Sequence, residues 1–189
     1  MIDYYSQQYW IDAIKDIEPS TYKSQIFFDN IGKVWSLPAG LRVQLGVVIG
    51  HTFDAMKQYW GEDQVLGIDL HNYRNDPNVW CVDVNQLRVK LPCAYIENDI
   101  GSSFNPDGKR DRWAATQWGV QCLVSGGIMI TNVGELINAP VEQFAVDNGC
   151  EVIPMSKFDN QPWAQWLNNE TPYKTQGWCI LQKSLEEKK

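Results

Sequence analysis

The sequence lacks long apolar runs and has little positive charge. No stretch reaches the roughly 18 consecutive apolar residues of a membrane-spanning helix, so we expect no membrane association. Asp and Glu (23 residues) outnumber Lys and Arg (16 residues), which gives a net charge of −7. The one local basic cluster is Lys109, Arg110 and Arg112. Because nucleic-acid binding normally requires a basic stripe, we expect no nucleic-acid partner.

Cysteine occurs in no metal-binding or redox pattern. The five cysteines are odd in number and include no CxxC pair, and four of them lie in apolar runs. Cysteine in such runs behaves as a small buried hydrophobic residue with a free thiol. Free thiols and the lack of an apolar N-terminal leader predict a cytoplasmic protein.

The length and the composition predict one globular domain over residues 1–189. The chain is long enough for one sizeable core and short for two, with 44% hydrophobic and 21% charged residues. We expect residues 1–38 to form a helical and aromatic cap, and residues 39–185 to form the core domain. Four aromatic residues of the cap are candidates for a lid, although packing is their simpler role: Tyr4, Tyr5, Trp10 and Trp35.

Strand-like and helix-like segments alternate along the chain. Strands are predicted over 41–49, 64–70, 79–84, 93–97, 128–131, 151–155 and 178–183. Helices are predicted over 3–17, 52–60 (with Thr52 as the N-cap), 111–124 (ended by Gly126 and Gly127) and 140–148. This alternation predicts an α/β fold with a mostly parallel sheet, covered on both faces and closed by an antiparallel strand at one edge.

The carboxyl ends of the predicted strands carry the candidate binding residues, because ligands of open α/β sheets bind there. The stretch "LGVVIGHTFD" (45–54) places Gly46 and Gly50 at a strand-to-helix turn. Asp69 ends the next strand, about 20 residues after Gly46, where an acid is placed to accept hydrogen bonds from a ribose diol. A loop or helix-capping aspartate is the alternative interpretation of Asp69.

The third strand also ends in an acid, in "VWCVDVNQL" (79–87). Asp83 is placed to contact an adenine amino group, and the backbone N–H of Val84 is placed to meet the ring. A strand-end cap is the alternative interpretation of Asp83. Two acids at consecutive strand ends therefore favour an adenosine-containing ligand.

These segments resemble class I S-adenosylmethionine-dependent methyltransferases over about residues 40–183. "VQLGVVIGHT" resembles the glycine turn of catechol-type and macrocin-type O-methyltransferases, "VLGIDL" the acidic second strand and "VWCVDVNQL" the adenine-contacting segment. "CLVSGGIMITN" resembles the family's helix-to-strand junction, and "GWCILQK" its seventh strand. The resemblance implies a Rossmann-like three-layer αβα sandwich with a seven-stranded sheet, whose last strand is antiparallel and inserted between its neighbours.

The resemblance also implies S-adenosyl-L-methionine as the cofactor. The residues that it assigns to cofactor binding are Gly46, Gly50, His51, Thr52, Asp69, Leu70, Asp83, Val84 and Asn98. Asp99 is expected to position the acceptor or act as a base, ahead of Glu97, and His71 is a second candidate for a general base. A loop acid that caps the next helix is the alternative interpretation of Asp99.

The chain departs from the family's pattern at two places. Gln44 stands where the family has an acid before the first glycine, so contact with the cofactor's ammonium group must be weaker or come from elsewhere. Catechol-type relatives hold a divalent metal with an Asp-Asn pair after the fifth strand, which reads Thr131-Asn132 in this chain. A metal site through Asp99 and Asn132 is therefore possible but not favoured.

The expected function is methyl transfer from S-adenosylmethionine to the oxygen or nitrogen of a small polar molecule. Homo-oligomerisation stays open. A non-catalytic binding module is an alternative that Gln44 and Thr131 favour. An NAD-dependent oxidoreductase is a weaker one, since Val48 replaces the middle glycine of the dinucleotide fingerprint.

Overall fold

The computed structural model describes residues 31, 35–47, 50–100, 108–132, 141–154 and 178–185. The predicted helix over 3–17 and the lid candidates Tyr4, Tyr5 and Trp10 lie outside these residues. Trp35 is described, and it is buried with its indole N–H donating to the Gln182 side chain at 3.3 Å. Packing, the simpler of the two roles, is therefore what the structure shows for Trp35.

The described residues form one mixed sheet of seven strands. The strands are β1 (Leu41–Leu45), β2 (Val65–Asp69), β3 (Val79–Cys81), β4 (Cys93–Asn98), β5 (Leu123–Asn132), β6 (Cys150–Pro154) and β7 (Trp178–Lys183). Their order across the sheet is β3-β2-β1-β4-β5-β7-β6, and β7 is antiparallel to both of its neighbours. The predicted seven-stranded sheet with an antiparallel last strand is confirmed.

Helices cover the two faces of the sheet. Helix α1 (His51–Trp60) buries Phe53, Ala55 and Met56 against one face, in a cluster that includes Tyr95 of β4. Helices α2 (Gly108–Cys122) and α3 (Val141–Asp147) pack on the other face, where Trp118 belongs to the second apolar cluster. These layers form the predicted αβα sandwich, and β4 is central because its first four residues are all buried.

Several element boundaries differ from the prediction, for reasons of backbone geometry. Strand β1 ends at Leu45 rather than 49, because the chain turns at Gly46, which has φ +84°. Strand β5 begins at Leu123, so Gly126 and Gly127 lie inside a strand and do not end a helix. A Cβ on Gly127 would meet the Cys93 carbonyl oxygen at 3.0 Å, which shows that glycine lets β5 pass close to β4. The glycine pair therefore reflects strand packing rather than a helix stop.

Among the helices of the described segments, none is both long and apolar enough to cross a membrane.

Candidate functional site

Three strand ends carry the predicted site residues to one edge of the sheet. Strand β1 lies between β2 and β4 and is parallel to both, and Leu45 is in register with Ile68 of β2 and Asn98 of β4. The residues that follow these register partners are Gly46, Asp69 and Asp99. The structure therefore places the glycine turn between two carboxylates at the carboxyl edge of the sheet, where α/β proteins bind ligands.

The glycine turn after β1 is built from two left-handed residues. Gly46 has φ +84° and donates its N–H to the Ile68 carbonyl at 2.9 Å, and Gly50 has φ +82° and donates to the Val47 carbonyl at 2.8 Å. Both conformations favour glycine, because a Cβ is strained there. A Cβ on Gly46 would meet the Asp99 carbonyl oxygen at 3.0 Å, so this glycine already accommodates protein backbone.

Helix α1 begins at His51, with Gly50 as its N-cap. Thr52 was expected to be the N-cap, and this expectation is wrong because the left-handed Gly50 turns the chain into the helix two residues earlier. Thr52 lies in the first turn of α1 and is half-buried. The His51 backbone starts the helix, and its side chain lies outside the described structure. The N-cap Gly50 has no side chain that could cap the backbone N–H groups of this first turn.

Asp69 at the end of β2 is half-buried, and one of its carboxylate oxygens accepts the His71 backbone N–H at 3.2 Å. Burial, followed by the negative charge of Asp69, raises the pKa of Tyr73 to about 12. Leu70 follows Asp69 with an apolar side chain that is 52% exposed. An acid beside an exposed apolar side chain is a suitable surface for a group that is part sugar and part aromatic ring.

The loop between β2 and β3 is held against α1 by ion pairs. Arg74 contacts Asp54 at 2.5 Å, and Lys57 pairs with Asp76. The Arg74 guanidinium also lies over Gly50, where an added Cβ would meet its Nη1 at 2.9 Å. Arg74 therefore packs against the glycine turn while it is paired with Asp54 of α1.

His71 is exposed, and its ring lies 5.3 Å from the Tyr73 ring. Together they line a small pocket of about 10 Å³, room for about one water molecule, between this loop and α1. His71 follows β2 while Asp99 follows β4, and β1 separates these two strands. The structure does not bring the two predicted acid–base candidates together at one point.

Asp83 caps a local turn. Its Oδ1 accepts the backbone N–H of Asn85 at 2.8 Å and the side-chain amide of Asn85 at 2.9 Å, and the same amide donates to Asp111 of α2 at 2.7 Å. The strand-end cap, one of the two interpretations of Asp83, is therefore present. Val84, the first residue of the turn, is buried, so a ligand contact there would involve its backbone.

Asn98 at the end of β4 is fully buried and bonded within the protein. Its side-chain amide donates towards the Arg112 carbonyl, Thr116 Oγ1 and Thr131 Oγ1 at 3.1–3.3 Å, and its Oδ1 accepts the Ile100 N–H at 3.2 Å. Because both ends of the amide have protein partners, the expected cofactor contact through this side chain is not supported. Asn98 instead ties β4 to α2 and β5.

Glu97 lies near the end of β4, and Asp99 follows the strand close enough for its charge to act on Glu97. Burial, then the Asp99 charge, raises the pKa of Glu97 to about 8, while a hydrogen bond from the Tyr95 hydroxyl, 3.1 Å from Oε2, opposes this rise. Burial also raises the pKa of Asp99 to about 6, although the Arg112 charge opposes this. Asp99 is nevertheless exposed to solvent. Two adjacent carboxyl groups with raised pKa values are typical of functional sites.

Gln44 and Glu97 are the site residues that the sequence did not bring together. They are register partners on β1 and β4, so their side chains lie side by side on one face of the sheet. The period-two alternation of "CAYIEN" (93–98) would have placed Glu97 on the same face as Tyr95. Its pairing with Gln44, however, depends on the strand order, which sequence alone did not give.

The described residues hold no group of three or more His, Cys, Asp or Glu side chains that could hold a metal ion. Thr131 is fully buried, and its hydroxyl oxygen accepts a hydrogen bond from the Asn98 side-chain amide. The side chain of Asn132 lies outside the described structure.

Comparison with known proteins identifies the fold. No family model and no curated protein matches the chain. Streptomyces venezuelae DesVI is similar at 9% identity and TM-score 0.56, over 97% of this chain and 100% of that one. A Methanococcus maripaludis protein assigned as an S-adenosyl-L-methionine-dependent methyltransferase is similar at 15% identity and TM-score 0.53, over 100% of this chain and 98% of the other. A Galdieria sulphuraria protein assigned as a sarcosine dimethylglycine methyltransferase is similar at 10% identity and TM-score 0.53, over 91% and 90% of the two chains.

The strand order and these likenesses show that the chain has the class I methyltransferase fold, as the sequence predicts. Because the sequence identities are 15% or less, these similarities show the fold of the chain and not its activity.

Proposed function

We propose that this protein transfers a methyl group from S-adenosyl-L-methionine to a small polar acceptor. The observation that carries the proposal is the sheet itself, with order β3-β2-β1-β4-β5-β7-β6 and an antiparallel β7. Solved structures assigned as methyltransferases share this fold with the chain over most of its length. Since one fold can host several functions, the residues at its carboxyl edge must also fit the cofactor.

The end of β2 fits the adenosine part of the cofactor. The half-buried Asp69 carboxylate can accept hydrogen bonds from ribose hydroxyls, and the exposed Leu70 side chain offers an apolar contact for the adenine ring. On the far side of the ring, the Val84 backbone and the second carboxylate oxygen of Asp83 are the available polar groups, since Asp83 Oδ1 caps the local turn.

The glycine turn fits the amino acid part of the cofactor. Gly46 is half-buried and exposes part of its backbone, Gly50 is buried beside Arg74, and His51 and Thr52 begin helix α1 directly after them. The uncapped N–H groups at a helix N-terminus attract a carboxylate. We therefore place the cofactor's carboxylate at the start of α1.

When bound, the cofactor supplies an electrophilic methyl group. The protein then has to hold the acceptor in line with that group and exclude water. Asp99 is the group that we assign to the acceptor: its side chain is accessible, and with a pKa of about 6 it is mostly a carboxylate at neutral pH. It can therefore orient a polar acceptor and take one proton from it. His71 is the second candidate for this proton transfer, although it lies towards the β2 side of the edge.

Calorimetry on the purified protein tests the proposal. We expect binding of S-adenosyl-L-methionine and S-adenosylhomocysteine and no comparable binding of NAD. A panel of small hydroxyl, carboxyl and amine compounds should then yield S-adenosylhomocysteine with at least one acceptor. Absence of binding to either adenosyl compound would refute the proposal.

A second candidate function is cofactor binding without turnover. The burial of Thr131 favours it, because the position that carries a metal-binding carboxylate in catechol-type relatives is part of the core in this chain. Tight binding of S-adenosyl-L-methionine without product from any acceptor would favour this candidate.

A further inference from the structure

Gln44 and Glu97 form a polar pair in an otherwise apolar row of side chains. They are register partners on β1 and β4, and the next residues in the same row are Ile130 of β5 and Ile180 of β7. Register partners on neighbouring strands have their Cβ atoms about 5 Å apart. The two side chains therefore start side by side on one face of the sheet, each one residue before the end of its strand.

Gln44 has an acceptor that nothing in the described structure uses. Its side chain is only 4% exposed, and its amide nitrogen donates to the Gly46 carbonyl at 3.3 Å, so the amide lies towards the carboxyl end of β1. Its Oε1 is buried and finds no hydrogen-bond partner among the described residues. A buried acceptor without a donor is unfavourable, and a ligand that brings a donor removes that cost.

Among the described residues, the groups that act on Glu97 are a hydroxyl and a carboxyl group rather than a cation. Tyr95 donates its hydroxyl to Glu97 Oε2 at 3.1 Å, and, after burial, the charge of Asp99, which follows β4, raises the pKa of Glu97 further. The cation that acts on this cluster is Arg112 of α2, whose charge stabilises the Asp99 carboxylate while its Nε donates to the Ile100 carbonyl at 2.7 Å. No described residue forms a salt bridge with Glu97. Burial, followed by the Asp99 charge, raises the pKa of Glu97 to about 8, and no described cation opposes this rise.

We propose that Gln44 and Glu97, with Asp99 beside them, bind the ammonium group of a ligand. An ammonium group is compact and carries three N–H donors with a positive charge, which matches one unused amide oxygen and one carboxyl group without a described cation; the positive charge favours the ionised form of that carboxyl group. The inference rests on the proposed function, because it places the ligand at the edge where the cofactor is expected. Two sources share this chemistry: the ammonium of the cofactor's amino acid part, and an amine acceptor.

If the cofactor is the source, Glu97 supplies from the neighbouring strand the charge that Gln44 lacks. If an amine acceptor is the source, the cluster can take its proton. The ammonium N–H bond then breaks with the proton passing to a carboxylate, and the nitrogen lone pair forms the new bond to the methyl carbon while the carbon–sulfur bond breaks.

The test compares Glu97→Gln with Glu151→Gln, a control that removes an exposed carboxylate from the edge strand β6. Calorimetry measures binding of S-adenosylhomocysteine and of 5′-methylthioadenosine, which lacks the amino acid part. Thermal melts with added ethylammonium chloride, against sodium chloride at the same concentration, report binding of an amine on its own.

With the cofactor as source, Glu97→Gln weakens S-adenosylhomocysteine binding by roughly ten- to hundredfold and leaves 5′-methylthioadenosine unchanged. With an amine acceptor as source, S-adenosylhomocysteine binds both variants equally, and only Glu97→Gln loses the stabilisation by ethylammonium. Unchanged behaviour of Glu97→Gln with all three probes overturns the inference. If neither adenosyl compound binds the wild type, the proposed function fails, and the ethylammonium melts alone decide whether an ammonium site exists.

Gln44→Leu separates ligand binding from a purely structural role. It removes the unused buried acceptor, so the melting temperature should stay the same or rise. Affinity for the ammonium-bearing probe should fall. A fall in both quantities, or in neither, would contradict the assignment of Gln44.

Discussion

Gly46 packs directly against the peptide that joins Asp99 to Ile100. A Cβ at Gly46 would lie 3.0 Å from the Asp99 carbonyl oxygen and 3.2 Å from the Ile100 nitrogen. In addition, the Asp99 N–H donates to the Leu45 carbonyl at 2.9 Å. The turn after β1 and the turn after β4 therefore form one unit, and a change in either one moves the proposed cofactor and acceptor contacts together.

Replacement of Gly46 by alanine should destabilise the protein. Alanine at φ +84° costs about 1–2 kcal/mol, and the contact with the Asp99 backbone adds to that cost because backbone cannot rotate away. Gly126→Ala is the matched control: φ is +77°, but the nearest atom is the end of the Leu185 side chain, which can move. Urea unfolding should show a larger loss of stability for Gly46→Ala, and equal losses would contradict this packing.

Removal of the Asp69 carboxylate should weaken cofactor binding and preserve the fold. If ribose hydroxyls donate to this charged acceptor, Asp69→Ala costs about 1.5–3 kcal/mol of binding free energy, roughly ten- to hundredfold in Kd. Asp69→Asn should cost less, because an amide oxygen still accepts. Asp83→Ala should cost less again, since water can replace a contact to the adenine amino group.

Calorimetry with S-adenosyl-L-methionine measures the Asp69 and Asp83 effects, with thermal melts to verify folding. An unchanged affinity in a folded Asp69→Ala protein would mean that the cofactor lies elsewhere.

Truncation of Asn98 should affect stability more than truncation of a partly exposed asparagine. Asn98→Ala leaves the Ile100 N–H and two threonine hydroxyls without their buried partner, at a cost of about 1–3 kcal/mol. Asn85→Ala removes a side chain that is half-buried, so water can bond to Asp111 in its place. Chemical denaturation of the two variants should rank Asn98→Ala as the less stable, and the reverse order would argue against a structural role for Asn98.

The stability of the wild type relative to Glu97→Gln should decrease as the pH rises. The pKa of Glu97 is raised from 4.5 to about 8 by burial and by Asp99, so the folded protein favours the protonated form. This preference contributes fully to the free energy of unfolding below about pH 4.5, and the contribution is lost progressively as the pH rises to about 8. Glutamine does not ionise and should lack this dependence.

Thermal melts of both proteins across this pH range provide the measurement. Glu151→Gln, which also removes one negative charge, serves as the reference variant. Parallel curves for wild type and Glu97→Gln would exclude a raised Glu97 pKa.

The sequence predicts the strands and their family of fold because those features depend on local patterns. The first four residues of "CAYIE" (93–97) are apolar or aromatic on both faces, as a central parallel strand requires. In this strand and in β1 to β3, an acid or a glycine marks the end of the apolar run. The residues at which helices and strands begin and end were less predictable. Leu123 and Val124 continue the helical periodicity of α2, yet β5 begins at Leu123, which pairs with Cys93 of β4.

The site was predicted in part, because position along a strand shows which edge a residue reaches but not what it contacts. Asp69 and Gly46 come to one edge, as parallel strand order requires. The Asn98 side chain donates hydrogen bonds to Arg112, Thr116 and Thr131, which are far from it in the sequence, so these contacts could not be predicted. The Gln44 and Glu97 pair likewise needed the β1–β4 register.

The position of β7 also sets the order in which the sheet can be completed during synthesis. Strand β7 is the last of the described strands to leave the ribosome, yet it lies between β5 and β6 and bonds to both. A nascent chain that stops before residue 178 lacks the strand that separates them, so the ten-residue β5 has an open edge. Such an edge can pair with strands of other chains. Emergence of residues 178–183 from the ribosome is therefore the step that closes this half of the sheet against association.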